Sequence, residues 1–139
     1  MFKTILFPID QSREAREAAQ LVANLVKTHQ SKLILLSVVE KPEPEPEGKP
    51  QPLPVMASPE EVAKLLEAAQ SFFASAQIVA EVLEREGMPS FTICDVADER
   101  NADLIVMGCR GLGLTQEGAA ESVTNRVINL APCPVLIVP

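Results

Sequence analysis

Two short stretches, TILFPI from Thr4 to Ile9 and KLILLSVV from Lys32 to Val39, are apolar almost without interruption and rich in strand formers. Strands that are covered on both faces, as in a parallel sheet sandwiched by helices, have no polar side to alternate with and read this way. Between them Ala15, Ala18, Ala19, Val22, Leu25 and Val26 recur at steps of three and four. That is the period of a helix with one apolar face, and Ser12 stands where its side chain can cap the first turn. The first forty residues therefore predict a β-α-β unit.

The pattern continues. Ser58-Pro59-Glu60-Glu61 supplies a capping serine, a proline at the first helical position and a glutamate three residues on, so a second helix is predicted through VAKLLEAAQSFFASA. IVAEVLE, Ile78 to Glu84, alternates and predicts a half-exposed third strand. Gly87-Met88-Pro89 then turns into a helix from about Ser90 to Arg100. DLIVMG, ending at Gly108, predicts a fourth strand, Ser122 to Leu130 a short helix with Val123, Val127 and Leu130 inward, and PCPVLIVP a fifth strand. Strict alternation of strands and helices implies a doubly wound α/β fold: a five-stranded parallel sheet with right-handed crossovers and helices on both faces.

Length agrees with one domain spanning residues 1–139. One segment breaks the pattern, a loop at 41–58 within KPEPEPEGKPQPLPVMASP, Lys41 to Pro59, which holds seven of the twelve prolines. Proline lacks a donor and favours extended geometry, so this reads as a solvated connection that leaves the second strand near any ligand crevice; a docking arm or a lid is the functional alternative. No run of eighteen apolar residues and no cleavable leader is recognisable, which predicts a cytoplasmic protein without a membrane partner. A net charge of −7 removes the basic footprint that nucleic acid needs. Cys94, Cys109 and Cys133 form no C-x-x-C pair, so zinc and disulfide frameworks are not indicated.

Chemistry concentrates in one place. Ligands of doubly wound sheets sit beyond the carboxyl ends of the strands, where the winding reverses. Asp10 follows the first strand, Val38 ends the second and Gly108 ends the fourth. Behind Gly108 lies MGCRGLGLTQEGAAESVTNRV, in which Gly108, Gly111 and Gly113 let the backbone approach an anion, and the predicted helix offers free N–H groups beside Ser122 and Thr124. A plain turn explains such a loop as well as a phosphate cradle does.

The order of elements, with ILFPIDQS, LILLSVV, EGMPSFTICDVADERNADLIVMG and NLAPCPVLIV, resembles the universal stress protein family over essentially the whole chain. The resemblance implies strand order 3-2-1-4-5, a homodimer through the last strand (Val135 to Val138), and a role in stress response or signalling. In one branch it implies ATP held by G-x2-G-x9-G-[ST], which falls on Gly108, Gly111 and Ser122. Pro8, Asp10 and Val38 would line the adenine and ribose side. ATP or AMP is the implied cofactor, with magnesium as an open companion.

The chain departs from the family pattern at Glu121, which stands where the motif has its third glycine. Gln11 replaces a common glycine, Ser37 a frequent histidine, and the loop carries Gln116 and Glu117 where basic residues are frequent. A second reading follows, in which nucleotide binding is lost and the chain acts as an interaction module. A phospho-receiver is set aside, since LIVMG ends without an aspartate. His29 is the single histidine and falls at the other end of the sheet from the crevice. No general base beyond Asp10 is visible, so binding rather than catalysis is expected. Asp103 reads as a turn-ordering carboxylate, Cys94 and Cys133 as packing residues, and Cys109 as an inert thiol with a redox role as its alternative.

Overall fold

The computed structural model describes residues 1–10, 13–40, 58–108 and 123–139, and only the backbone of Arg13, Glu14 and Glu40. The elements run β1 (Thr4–Pro8), α1 (Arg13–His29), β2 (Lys32–Glu40), α2 (Pro59–Ser75), β3 (Ala80–Gly87), α3 (Pro89–Glu99), β4 (Leu104–Gly108), α4 (Val123–Leu130) and β5 (Val135–Val138). They form one five-stranded sheet of order β3-β2-β1-β4-β5. Every pairing is parallel, with Ile5 opposite both Leu33 and Leu104, and Ile105 opposite Val135.

The continuous apolar strands are buried on both faces because each sheet face has its own core. Ile5, Phe7, Leu33 and Leu35 pack against Val22, Val26, Val62 and Phe73 of α1 and α2. Leu6, Ile34, Leu36 and Ile105 point the other way, against Ile93, Val96 and Val127 of α3 and α4. Alternate residues of one strand thus feed two cores, as the two-residue period of a strand requires.

Helix ends follow the sequence closely. Ser58 caps α2, accepting the Glu61 N–H at 3.4 Å, and Pro59 occupies the first turn. At their other ends α1, α2 and α3 each close through a residue at positive φ: Gln30 (53°), Gln77 (66°) and Asn101 (53°). The N–H of the residue after each of these returns into the last turn, Ser31 to Val26, Ile78 to Phe73 and Ala102 to Ala97. This is the Schellman arrangement, built here without glycine.

The third strand and the inner face of α4 differ from the sequence reading. The third strand begins at Ala80, not Ile78, because Ile78 and Gln77 are used to close α2, and it runs on to Gly87. Val79 consequently projects almost wholly into solvent. In α4 the inward residues are Thr124 and Val127, with Val123 and Leu130 exposed. At about 100° per residue, a face centred between Thr124, Val127 and Ala131 leaves Val123 and Leu130 roughly 70–90° to one side. The proline-rich loop lies outside the described residues, apart from Ser58.

Candidate functional site: a crevice at the switch point

The chain leaves β1 for α1, while β4 pairs on the opposite edge of β1 from β2, so the winding reverses at β1. Adjacent crossovers diverge at that point and open a gap beyond the strand ends. The gap is a crevice of about 110 Å³ on the α3 and α4 face. Pro8 ends β1 there, with Ile9 and Asp10 just beyond it, Leu36 and Val38 come from β2, and Met107 and Gly108 from β4. Thr124 closes it from the first turn of α4.

Of the residues expected from the sequence, Pro8, Asp10, Val38, Gly108 and Thr124 all meet at this crevice. Gly111, Gly113 and Ser122, together with Glu121 and Cys109, lie outside the described residues. The structure adds Ala15, Pro89 and Ile93. In the sequence Pro89 belongs to the turn before the third helix and Ile93 falls within that helix; nothing there pointed either toward a cavity. The walls are largely apolar, with a carboxylate at Asp10 and a hydroxyl at Thr124. Such a site pairs apolar walls with a few polar groups at its rim, as small-molecule sites do.

Buried order behind the crevice comes from β2. Ser37 is buried and donates to the Ile9 carbonyl at 3.1 Å, while the Ile9 N–H donates to the Leu36 carbonyl at 2.8 Å. The backbone leading into Asp10 is thereby fixed through both the N–H and the carbonyl of Ile9.

Other chemistry-bearing groups lie elsewhere. His29 packs edge-on against Phe2 with ring centroids 5.1 Å apart, and Ser31 hydrogen-bonds the Phe2 carbonyl, both at the amino end of the sheet. Asp103 accepts the N–H groups of Lys3 and Thr4 at 3.0 and 2.9 Å, tying the starts of β1 and β4 together. Burial, reinforced by Asp95, pushes the Cys94 thiol up, and burial with Asp103 and Cys94 does the same for Cys133. A raised thiol carries little thiolate at neutral pH and is a packing group. Burial alone would raise the Glu81 carboxyl, but hydrogen bonds and charge from Arg100 and Lys32 outweigh it and hold it low. Arg100 stands 2.7 Å and Lys32 3.4 Å from it. Among the described residues no cluster of His, Cys, Asp and Glu could hold a metal ion, and no helix is long and apolar enough to cross a membrane.

A doubly wound α/β domain with a crevice at its switch point is thus in place, and comparison assigns its family. The universal stress protein family model matches residues 1–139. The chain is 72% identical over 139 residues to universal stress protein Sll1654 of Synechocystis, covering 100% of this chain and 87% of the relative. It belongs to the universal stress protein family. A universal stress protein solved in complex with cAMP superposes with a TM-score of 0.77 at 23% identity, covering 99% of this chain and 97% of that one. The Archaeoglobus fulgidus protein in complex with dAMP gives 0.72 at 22%, covering 99% and 98%.

Proposed function

We propose that this universal stress protein binds an adenine nucleotide in the crevice, with the base between Val38 and Ile93, the ribose near Asp10, and the phosphates toward Gly108 and Thr124. The observation that carries the reading is the convergence of Pro8, Asp10, Val38, Gly108 and Thr124, from β1, β2, β4 and α4, on a single crevice. Universal stress proteins of the same fold have been solved in complex with cAMP and with dAMP, which supports an adenine nucleotide as the ligand class. Gly111, Gly113 and Ser122 complete the phosphate side in this reading, and Glu121 weakens it. The nucleotide, ATP or AMP with or without magnesium, is bound rather than consumed, and the protein acts in stress response or signalling in the cytoplasm, where unpaired thiols stay reduced.

The same reading makes the protein a homodimer through β5. One edge of β5 is unpaired in the sheet order, its four residues Val135–Val138 are only half-buried, and Ile128 and Leu130 of α4 lie exposed. An apolar open edge is an aggregation hazard unless covered, and a second copy covers it. Titration of ATP and AMP into ligand-stripped protein by calorimetry tests the nucleotide. One site per chain, abolished by Val38→Phe in a protein that still melts cooperatively, supports the crevice; undisturbed binding in that variant refutes it. Heat from no adenine nucleotide favours the second reading, an interaction module, for which Glu121 in the glycine motif is the specific observation.

A further inference from the structure

We propose that the groove between α1 and α2, which meets the nucleotide crevice at Ile9, Asp10 and Ala15, binds an amphipathic monocarboxylate, its acyl body between the helices and its head group at Arg16. The groove follows from how the two helices divide the sheet. α1 leans over β4 and β5, and α2 over β2 and β3. The central strand β1 is left between them, and its Phe7 and Ile9 form the floor. Ala15 and Ala19 face the gap from α1, Ala68 and Ala69 from α2, and the space amounts to about 350 Å³.

Protein interiors are close-packed, and leucine-sized side chains at these four positions would close such a space. Alanine keeps it open. Its volume falls within the range of roughly 300–1,000 Å³ typical of small-molecule sites, which pair an apolar body with a few placed polar groups. At the rim Phe72 is 39% exposed, and one wall of the mouth is Arg16. Among the described residues no carboxylate pairs with Arg16. Asp10 borders the same mouth. A single negative head group therefore settles toward Arg16, while a ligand with a second acid meets Asp10 and is rejected.

Decanoate is the probe, titrated into the full chain by calorimetry and followed by backbone amide shifts. Saturable one-to-one binding is expected, with shifts concentrated on the facing sides of α1 and α2. Arg16→Gln should weaken decanoate roughly three- to tenfold while leaving decanol unchanged. Ala19→Leu and Ala69→Leu fill the groove from opposite walls, and whichever keeps the wild-type melting transition should lose both ligands. Absence of saturable decanoate binding, or binding indifferent to the filling variant, overturns the site. Equal affinity for decanoate in wild type and Arg16→Gln overturns the carboxylate assignment.

Discussion

The hydroxyl of Ser37 donates a 3.1 Å hydrogen bond to the main-chain carbonyl of Ile9, the residue that hands the chain to Asp10. β1 proper ends at Pro8, yet this bond and the one from the Ile9 N–H to Leu36 carry the ordered backbone one residue further, to the lip of the crevice. Replacing Ser37 with alanine leaves that carbonyl short of a partner in a buried setting. A loss of about 1–2 kcal/mol in urea unfolding is expected. Nucleotide affinity should fall severalfold beyond what stability explains, because Asp10 loses its fixed approach, and Ser37→Thr should restore both. An affinity unchanged in Ser37→Ala would show that Asp10 is positioned from elsewhere.

Backbone conformation gives a prediction of opposite signs. Gln77 sits at φ 66° to close α2, a region that a side chain enters at a cost and glycine enters freely. Gln77→Gly should therefore raise stability by about 0.5–1 kcal/mol despite glycine's larger unfolded-state entropy. Gly87, at φ +149°, is the reverse case: an added Cβ would lie 2.9 Å from Thr92 Oγ1. Gly87→Ala should cost on the order of 1–3 kcal/mol. Denaturant midpoints of the two variants, shifted in opposite directions, check both at once.

Glu81 links β3, the start of β2 and the end of α3 through Lys32 and Arg100. Its carboxyl is held below the ordinary value of 4.5 in the folded chain. A depressed carboxylate contributes stability that is fully present above the unfolded value and is lost as pH falls through the folded one. Arg100→Gln should thus destabilise at neutral pH and lose less than the wild type does as pH falls through and below 4.5. Thermal melts across that window measure it; parallel curves for the two proteins would remove Glu81 from the acid response.

Much of this was legible in the sequence because the signals are local. Continuous apolar strands, the capping Ser58 and the alanine period of α1 each depend on neighbours a few residues apart. The errors came where a tertiary role competes with a pattern. Ile78 and Val79 look like the start of an alternating strand, but Ile78 serves the helix closure of α2 and Val79 is left in water. Val123 and Leu130 look inward by type, yet a two-turn helix has one narrow inner face, and Thr124 takes a place on it. At the crevice the strand-end residues were readable from topology. Pro89 and Ile93 were not, since their approach depends on how α3 lies over β2 and β3, which no short-range pattern encodes.

Dimerisation through β5 predicts that Leu136→Lys, which puts a charge into the proposed interface, shifts the chain toward monomer without unfolding it. Light scattering at micromolar concentration should give twice the chain mass for the wild type and approach the single-chain mass for the variant. A wild-type monomer throughout the accessible range would contradict the interface.

The crevice is proposed to hold an adenine nucleotide, with Glu121 weakening its phosphate side. A carboxylate near the phosphates at roughly 5 Å and an effective dielectric of about 20 repels with on the order of 3 kcal/mol, reduced by screening and side-chain motion to about 1–2 kcal/mol. The most direct measurement is a calorimetric comparison of ATP and AMP binding to wild-type and Glu121→Gly protein. Both nucleotides are expected to bind the wild type, and the substitution to tighten ATP about tenfold and AMP less, since AMP lacks the outer phosphates. Equal ATP affinity in the two proteins would contradict the role of Glu121, and absence of binding by either nucleotide to either protein would contradict the claim itself.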